Sequence, residues 1–250
     1  MDLLENIKSS LKYPFFDYEK FLALGALFIF ANVAYISISL GIHNNIFYIV
    51  AVAVSLIFTL IITGFALDIT RNTIYLFSEV PEFDFLKNLL LGVKSFAVKL
   101  VYMLIPLIVT VILIYTLGIA KIFYGNLDLF SNMAPWVAKD IFANLAIVAV
   151  IFYVLYVIFS ILESVAQARL AESDNIRDAL TLEVLEDVKK IGFLKIIEWV
   201  VIVSIIICLI SFIILLVGFI PYVGVFIATF VGYPFITLFY ARSLGLLYSV

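Results

Sequence analysis

The fold is decided by the stretch Ile46-Phe-Tyr-Ile-Val-Ala-Val-Ala-Val-Ser-Leu-Ile-Phe-Thr-Leu-Ile-Ile-Thr-Gly-Phe-Ala-Leu67, which contains no charged residue. A helix of about 20 apolar residues crosses the hydrocarbon core of a bilayer, which is about 30 Å thick. This stretch is long enough to do so, and Asp68 follows it directly. Five further stretches of similar length are predominantly apolar: residues 21–42, 96–117, 141–162, 194–217 and 222–241. The sequence therefore predicts six membrane-spanning helices.

The overall composition supports the same prediction. Hydrophobic residues make up 66% of the 250 residues and charged residues only 13%, whereas soluble domains carry about 25% charged residues. The net charge of −3 is small, and the acidic residues crowd into the same segments as the basic ones. A nucleic-acid-binding protein needs a basic face, which this distribution does not provide. We therefore expect a membrane protein with no nucleic-acid partner.

The basic residues alternate with the apolar stretches along the chain. All but two of the 15 lysines and arginines lie in four short segments on one side of these stretches. Basic residues are retained on the cytoplasmic side of a membrane during insertion. The pattern places both termini in the cytoplasm and residues 43–45, 120–140 and 218–221 outside. We expect a multi-pass protein of the cell membrane in that orientation.

Three segments on the predicted cytoplasmic side are amphipathic. Residues 2–12, 84–95 and 174–190 have apolar side chains three and four positions apart, which is typical of a helix that lies at the membrane interface. Each contains an aliphatic–lysine pair, and the lysines are Lys8, Lys94 and Lys189. We therefore predict an all-α integral membrane protein with six transmembrane helices in three hairpins. Each hairpin is preceded by a cytoplasmic interfacial amphipathic helix.

Local signals mark where two of these amphipathic helices begin. Pro81 ends the preceding helix because it has no backbone N–H. Asp84 and Asp174 are the predicted N-caps, since a short carboxylate can accept from the first free N–H groups of a helix. Phe83 and Phe85 are expected to hold the intervening turn at the membrane interface.

The amphipathic segments also suggest an internal repeat within a single domain of residues 1–250. The possible repeats are residues 1–80, 81–173 and 174–250. Each would contain an amphipathic helix, two spans and a closing arginine. The closing arginines, Arg71, Arg169 and Arg242, would then lie at similar depth around a common axis. The alternative is that retention of basic residues on one side produces the regularity by itself.

Acidic side chains near the ends of spans are candidate site residues. A charge within hydrocarbon costs about 2.5–3.5 kcal/mol, so Asp68, Glu163 and Glu198 should face a partner or water. With Gln167 and the three arginines, they could form a polar vestibule for an ion or an anionic lipid headgroup. The alternative, which we favour, is that these side chains reach the interface individually or pair within one helix. Asp68 and Arg71, three residues apart, are such a pair.

Two spans carry small or hydroxyl-bearing residues at every fourth position. Residues at that spacing let helix backbones approach closely, and their hydroxyls can bond across the contact. We interpret them as packing faces rather than as a path for a solute. Pro106 and Pro234 should kink their helices because each removes a backbone donor. The two sets are Ala51, Ser55, Thr59 and Thr63 in the second span and Thr229, Tyr233 and Thr237 in the sixth.

Residues that carry enzyme chemistry are scarce. His43 is the only histidine and Cys208 the only cysteine, so neither a histidine-rich metal cluster nor a Cys–His pair can form within one chain. No glycine-rich phosphate loop occurs. The adjacent acids Glu186 and Asp187 are expected to be the solvated side of a helix rather than a cation site. We therefore expect no catalytic residue, no metal, no cofactor and no enzymatic activity.

Several short motifs resemble a known family. They are Gly64-Phe-Ala-Leu-Asp-Ile-Thr-Arg71, Pro81-Glu-Phe-Asp84, Gly92-Val-Lys94 and, near the amino terminus, Ser10-Leu-Lys-Tyr-Pro14. The chain resembles an uncharacterised archaeal family of multi-pass membrane proteins, the domain-of-unknown-function family four-zero-one-three. The resemblance implies an archaeal cell membrane and several spans, and it implies no activity. A more distant likeness to the membrane domain attached to some glycerophosphodiesterases points toward lipids.

These observations lead to one leading hypothesis and two alternatives. The leading hypothesis is a non-enzymatic membrane protein that binds membrane lipids or organises the bilayer through its amphipathic helices. The first alternative is a small-solute or ion transporter that uses the polar vestibule. The second is a subunit of a membrane complex, or a homo-oligomer, whose apolar faces are buried on assembly.

Overall fold

A computed structural model of the chain describes residues 2–42, 45–119, 135–220 and 223–249. Every regular element in those ranges is helical, and none of them is a β-strand. The predicted all-α class is therefore confirmed. His43 and most of the predicted external loop, residues 120–140, lie outside the described residues.

The helices are numbered here in chain order. They are α1 (Leu3–Lys12), α2 (Tyr18–Ala31), α3 (Val33–Ser39), α4 (Asn45–Ile74), α5 (Phe85–Thr116), α6 (Pro135–Ser173), α7 (Ile176–Ala179), α8 (Glu183–Ile191), α9 (Phe193–Gly218), α10 (Val223–Ile227) and α11 (Tyr233–Tyr248). A 3₁₀ turn, Tyr13–Phe15, follows α1, and a π-helical segment, Ala228–Gly232, joins α10 to α11.

Five helical stretches, or six if one bent pair counts as a span, are long and apolar enough to cross a membrane. The bent pair is α2 and α3, which meet at 65° around Asn32 in place of the predicted first span. The backbone N–H of Ala34, just after the bend, donates to Oγ of Ser55 on α4 at 3.3 Å. A neighbouring helix thus satisfies a donor that the bend leaves free. The five stretches are Asn45–Ile74, Phe85–Thr116, Lys139–Ser173, Phe193–Gly218 and Val223–Tyr248.

The two prolines predicted to kink spans have different surroundings. Pro234 lies in the first turn of α11, directly after the π-helical segment. A proline lacks the N–H that would continue the regular hydrogen-bond pattern, and a π-helical turn is one way in which a helix absorbs such a disturbance. Around Pro106, by contrast, α5 continues as one helix.

Two of the three amphipathic segments differ in form from the separate helices predicted. Residues 84–95 form the first turns of α5, which continues without a break into the span. Residues 174–190 contain two short helices, α7 and α8. The Asp84 N-cap is confirmed, since its carboxylate accepts from the backbone N–H of Lys87 at 3.0 Å. The Asp174 N-cap is wrong, because this residue has a left-handed φ of 58° and Asn175 caps α7 instead.

The turn before α5 is held by the core rather than by the interface alone. Phe83 stacks on Phe65 of α4, with ring centroids 3.9 Å apart, and packs against the hydrophobic core. Phe85 is exposed. Phe83 therefore has a core contact that the sequence did not predict, because the close approach of α4 and α5 offers its ring an aromatic partner.

The chain divides into two compact units, one formed by Met1–Val98 with Ser164–Val250 and the other by Lys99–Glu163. In the first unit, α4 and α11 pack closely at Gly245, where a Cβ would lie 2.7 Å from the carbonyl oxygen of Thr70. Oγ1 of Thr70 donates to the carbonyl of Ala241 on α11 at 3.1 Å. The core beside this contact consists of Tyr13, Leu24, Leu27, Ile61, Ile62, Phe65, Ile69, Val80, Leu238 and Ala241.

Candidate functional site

Asp68, the first candidate acid, forms an ion pair with a neighbouring helix. Both carboxylate oxygens lie 2.7 Å from Nζ of Lys87 in the first turn of α5. The Asp68 side chain is 4% exposed and that of Lys87 is 46% exposed, so the pair forms at the edge of the packed region. The predicted pairing of Asp68 with Arg71 is wrong. Lys87 takes the carboxylate because the Asp84 cap fixes the start of α5 beside α4.

Two glycines bring α4 and α5 close enough for this pair to form. A Cβ on Gly64 would lie 1.7 Å from the carbonyl oxygen of Asn88, and one on Gly92 would lie 1.8 Å from that of Leu60. Each glycine therefore faces the backbone of the opposite helix. The Asn88 side chain is fully buried at this crossing, and neither its Oδ1 nor its Nδ2 has a hydrogen-bond partner among the described residues.

Gln167 joins α5 to α6 through a pair of reciprocal hydrogen bonds. Its Oε1 accepts from Oγ of Ser95 at 2.8 Å, and its Nε2 donates to the backbone carbonyl of Ser95 at 3.1 Å. Both residues are buried. One residue earlier on α5, Nζ of Lys94 lies 2.6 Å from Oδ1 of Asp174 and 2.9 Å from its carbonyl oxygen. Lys94, predicted to contact the interface, therefore anchors the end of α6.

Arg169 is the centre of a charged cluster that holds α8. Its guanidinium donates to Oδ2 of Asp187 at 2.6 Å and also bonds the carboxylate of Glu183. The phenol of Tyr248, at the end of α11, donates to the same Oδ2 of Asp187 at 2.8 Å. Asp187 is buried, so the expectation that it belongs to a solvated helix side is wrong. The hydrogen bonds from the arginine and the tyrosine offset part of the cost of burying this carboxylate.

Arg242 is buried and has no carboxylate partner in the described part of the chain. Its Nη1 donates to the backbone carbonyl of Phe77 at 2.5 Å and to Oγ1 of Thr73 at 3.2 Å. The guanidinium lies over the ring of Tyr13, 5.0 Å from the centroid. A carbonyl and an aromatic face both favour a cation, so neutral groups stabilise this charge.

Three donors together fix the connection between α4 and α5. Besides Arg242, the phenol of Tyr13 donates to the carbonyl of Glu79 at 3.3 Å, and Nζ of Lys20 donates to the carbonyl of Val80 at 2.6 Å. Burial raises the pKa of Tyr13, although the positive charge of Arg242 opposes that shift. The phenol is therefore neutral and available as a donor. The loop that positions Lys87 is held from α2, α11 and the 3₁₀ turn at once.

The amino-terminal helix is attached to α11 by a buried polar network that the sequence did not predict. Nδ2 of Asn6 donates to the carbonyl of Ser243 at 3.2 Å, and Oγ of Ser243 donates back to Oδ1 of Asn6 at 3.2 Å. Nε1 of Trp199, on α9, donates to the same Oγ at 2.7 Å. The apolar side chains of residues 2–12 predicted a helix that lies on the membrane. In the structure, α1 also has a polar side, with Asn6 and Ser10, that is buried against the protein.

The remaining predicted site residues lie outside these contacts. Arg71 and Glu198 have no ion pair or side-chain hydrogen bond within the described residues. Glu163 belongs to the second unit, where it interacts electrostatically with Tyr102. Lys8 and Lys189 are exposed. The three arginines predicted to share one setting, Arg71, Arg169 and Arg242, therefore have three different surroundings.

We refer below to eleven bonded polar residues of the first unit, most of them charged, as the charged layer. They are Asp68, Lys87, Lys94, Ser95, Gln167, Arg169, Asp174, Glu183, Asp187, Arg242 and Tyr248. Its members are bonded mainly to each other or to backbone carbonyls, which makes them suited to joining helices. Within the described residues, no group of three or more His, Cys, Asp and Glu side chains is arranged to hold a metal ion.

Comparison with known proteins assigns the chain to a family. The sequence model of the family described as "Protein of unknown function (DUF4013)" matches residues 46–220, which run from α4 to the end of α9. This range covers most of the chain and includes both glycines of the α4–α5 crossing and the Asp68–Lys87 pair. No curated protein and no solved structure matches the chain. The chain therefore belongs to the family described as "Protein of unknown function (DUF4013)".

Proposed function

We propose that this protein is a non-enzymatic membrane protein that binds lipids and organises them around its spans. The observation that carries the proposal is the apolar surface that the spans expose beyond the charged layer. Ile49 on α4 and Leu209 and Phe212 on α9 are examples of large side chains that are mostly exposed. Such a surface would cause aggregation in water, whereas lipid tails cover it in a bilayer.

The bonding within the charged layer favours this proposal over a transporter. A solute path needs polar groups that face water or an open cavity. Lys87 binds both carboxylate oxygens of Asp68, and Arg169 and Tyr248 bind the carboxylate of Asp187. Groups that bond each other in this way join helices and are not available to bind a solute.

Native mass spectrometry of the purified protein tests lipid binding directly. We expect lipid to remain bound after gentle extraction in detergent. Protein that carries no lipid in any detergent would overturn the proposal. The same spectra report bound ions and the number of subunits, so they also test a homo-oligomer or a partner from a membrane complex.

Flux measurements in proteoliposomes separate lipid binding from transport. We expect no flux of ions or small solutes above that of empty vesicles. A flux that Asp68→Asn abolishes and Glu5→Gln preserves would replace the proposal by the transporter alternative. Glu5 is the matched control because it is an exposed acid on α1 outside the predicted vestibule, with no ion pair or side-chain hydrogen bond in the described part of the chain.

We further propose that both termini lie in the cytoplasm of the cell, on the basis of the segregated lysines and arginines. Labelling with a membrane-impermeant maleimide tests this orientation. In a Cys208→Ser background, Ser249→Cys should react only after the cells are lysed. Reaction in intact cells would show that the orientation is the opposite one, with both termini and the charged layer on the outer side.

A further inference from the structure

A pocket of about 470 Å³ lies between α3, the last turns of α9 and the π-helical segment. Its volume falls within the range of about 300–1,000 Å³ that is usual for pockets that bind small molecules. Four hydroxyl-bearing side chains contribute to its lining, among apolar ones. They are Tyr35, Ser211, Thr229 and Tyr233.

Three of these hydroxyls have no partner in the described part of the chain. The hydroxyl of Thr229 donates to the carbonyl of Val225, one turn earlier. No hydrogen bond from or to the side-chain hydroxyls of Tyr35, Ser211 or Tyr233 occurs among the described residues. All three side chains are exposed, so their hydroxyls are free to bond an occupant of the pocket. An occupant with several oxygen atoms could form hydrogen bonds with all three.

The charge and position of the pocket narrow the class of that occupant. None of the described lining residues is charged, so none of them can neutralise a phosphate. Ser211 lies two turns before α9 ends at Gly218, and Val225 lies just after α10 begins. The pocket is thus beside the hairpin end. If α9 spans the membrane as proposed, this end lies where the polar parts of lipids meet their hydrocarbon chains.

An apolar groove runs next to the pocket. Ile214 and Ala228 line both, and the other side chains of the groove, such as Val231 and Phe235, are all apolar. The groove has a volume of about 310 Å³. An amphiphile with its polar part among the hydroxyls would have an apolar surface beside it for its chain.

We infer that the pocket binds an uncharged lipid whose polar part carries several hydroxyl or ether oxygens, as in a neutral glycolipid. The inference rests on the proposed lipid-binding function and adds the site and the class of lipid. Tyr35, Ser211 and Tyr233 bond the polar part, and the apolar groove holds part of the chain. Because none of the described lining residues is charged, we expect the site to select against anionic phospholipids.

Competition between two lipids in one membrane tests the inference. Delipidated protein is mixed with vesicles of phosphatidylglycerol and a neutral diglycosyl diacylglycerol in equal amounts, and native mass spectrometry counts each bound lipid. We expect the neutral glycolipid to be retained preferentially. The variant Tyr35→Phe/Ser211→Ala/Tyr233→Phe removes only hydroxyls, and it should bind the glycolipid roughly tenfold more weakly because three hydrogen bonds are lost.

Tyr153→Phe is the matched control because Tyr153 is an exposed tyrosine on α6 that does not line the pocket. This variant should bind like the wild type. A preference for phosphatidylglycerol, or equal retention of glycolipid by the triple variant, would overturn the inference while lipid binding itself stands. Retention of neither lipid by the wild type would overturn the proposed function as well. Ser211→Phe, which fills the pocket, should reproduce the loss shown by the triple variant.

Discussion

The two halves of α4 differ in how many of their residues are buried. Between Asn45 and Leu60 only Ala51 is buried, although almost every residue is apolar. Between Ile61 and Thr73 most residues are buried, and these include Asp68 and two threonines. Hydrophobic character therefore does not decide burial along this helix. The half that contains the charged residues Asp68 and Arg71 is the half that packs.

The last two spans repeat the contrast. The buried residues of α9 are Ile196, Trp199 and Val203, all within its first three turns. In α11, burial is densest from Leu238 to Leu247, around Arg242 and Ser243. Lipid tails are as apolar as leucine, so apolar side chains alone give no reason for helices to associate in a bilayer. Hydrogen bonds, ion pairs and close backbone contacts supply that reason. In α9 and α11, the hydrogen bonds of Trp199, Arg242 and Ser243 lie in the same parts of the helices as the buried residues.

The largest effect should come from separating α4 and α5. Gly64→Leu would place side-chain atoms where the carbonyl oxygen of Asn88 now lies, since even a Cβ would approach it to 1.7 Å. We expect a loss of about 3 kcal/mol or more of unfolding free energy, seen as a collapse of the folded fraction in a detergent thermal melt. Gly218→Leu is the control, because among the described residues nothing beyond the adjacent part of its own helix lies within 4 Å of a Cβ at that position. Equal stability of the two variants would contradict the close contact between α4 and α5 at Gly64.

A pair of identical truncations compares the two regions directly. Leu247 on α11 is 1% exposed and Leu209 on α9 is 60% exposed. Leu247→Ala should lower the unfolding free energy by about 2–5 kcal/mol because it leaves a cavity in a packed region. Leu209→Ala should change it by less than about 0.5 kcal/mol, since lipid or detergent replaces the lost atoms. Thermal melts of both variants measure the difference, and a large loss in Leu209→Ala would indicate that a partner subunit covers α9.

Breaking the Asp68–Lys87 pair should have a smaller effect that depends on which partner remains. Lys87→Met leaves a carboxylate that is 4% exposed without its cation, and we expect a loss of about 1–3 kcal/mol. Replacing both partners, in Asp68→Leu/Lys87→Met, should restore part of that loss because no charge is left unpaired. Chemical unfolding of the two variants and the wild type measures this. A double variant no more stable than Lys87→Met would contradict this account of the pair.

The sequence was sufficient to predict the all-α class and the apolar stretches, because span length and charge are properties of single segments. It also located the start of α5, since the Asp84 cap depends only on residues within one turn. The bend at Asn32 could not be predicted. It depends on Ser55 of another helix, which accepts a hydrogen bond from the backbone at the bend.

The sequence pointed to several polar residues of the site but not to their partners. Asp68 was recognised from the cost of placing a charge within hydrocarbon, and Gln167, Arg169 and Arg242 were grouped with it as a possible vestibule. Their partners lie on other helices, at separations that no local spacing encodes, such as Thr73 with Arg242. Two glycines gave a usable signal for the contact between α4 and α5. Gly64 and Gly92 each lie in a motif of the family resemblance, and their small size lets the helices approach so that Lys87 reaches Asp68.

The smallest effect should come from loosening α8, the amphipathic helix held by the charged layer. Tyr248→Phe removes the hydrogen bond to Asp187 and leaves Arg169 in place, so we expect a loss of about 0.5–1.5 kcal/mol. Lys190→Met removes only an exposed charge 3.6 Å from the same carboxylate and should cost less than about 0.5 kcal/mol. Amide hydrogen exchange across α8 should therefore accelerate in the tyrosine variant and stay unchanged in the lysine variant. Equal acceleration in both would mean that net charge, rather than the bonded cluster, holds α8 to the packed half of the protein.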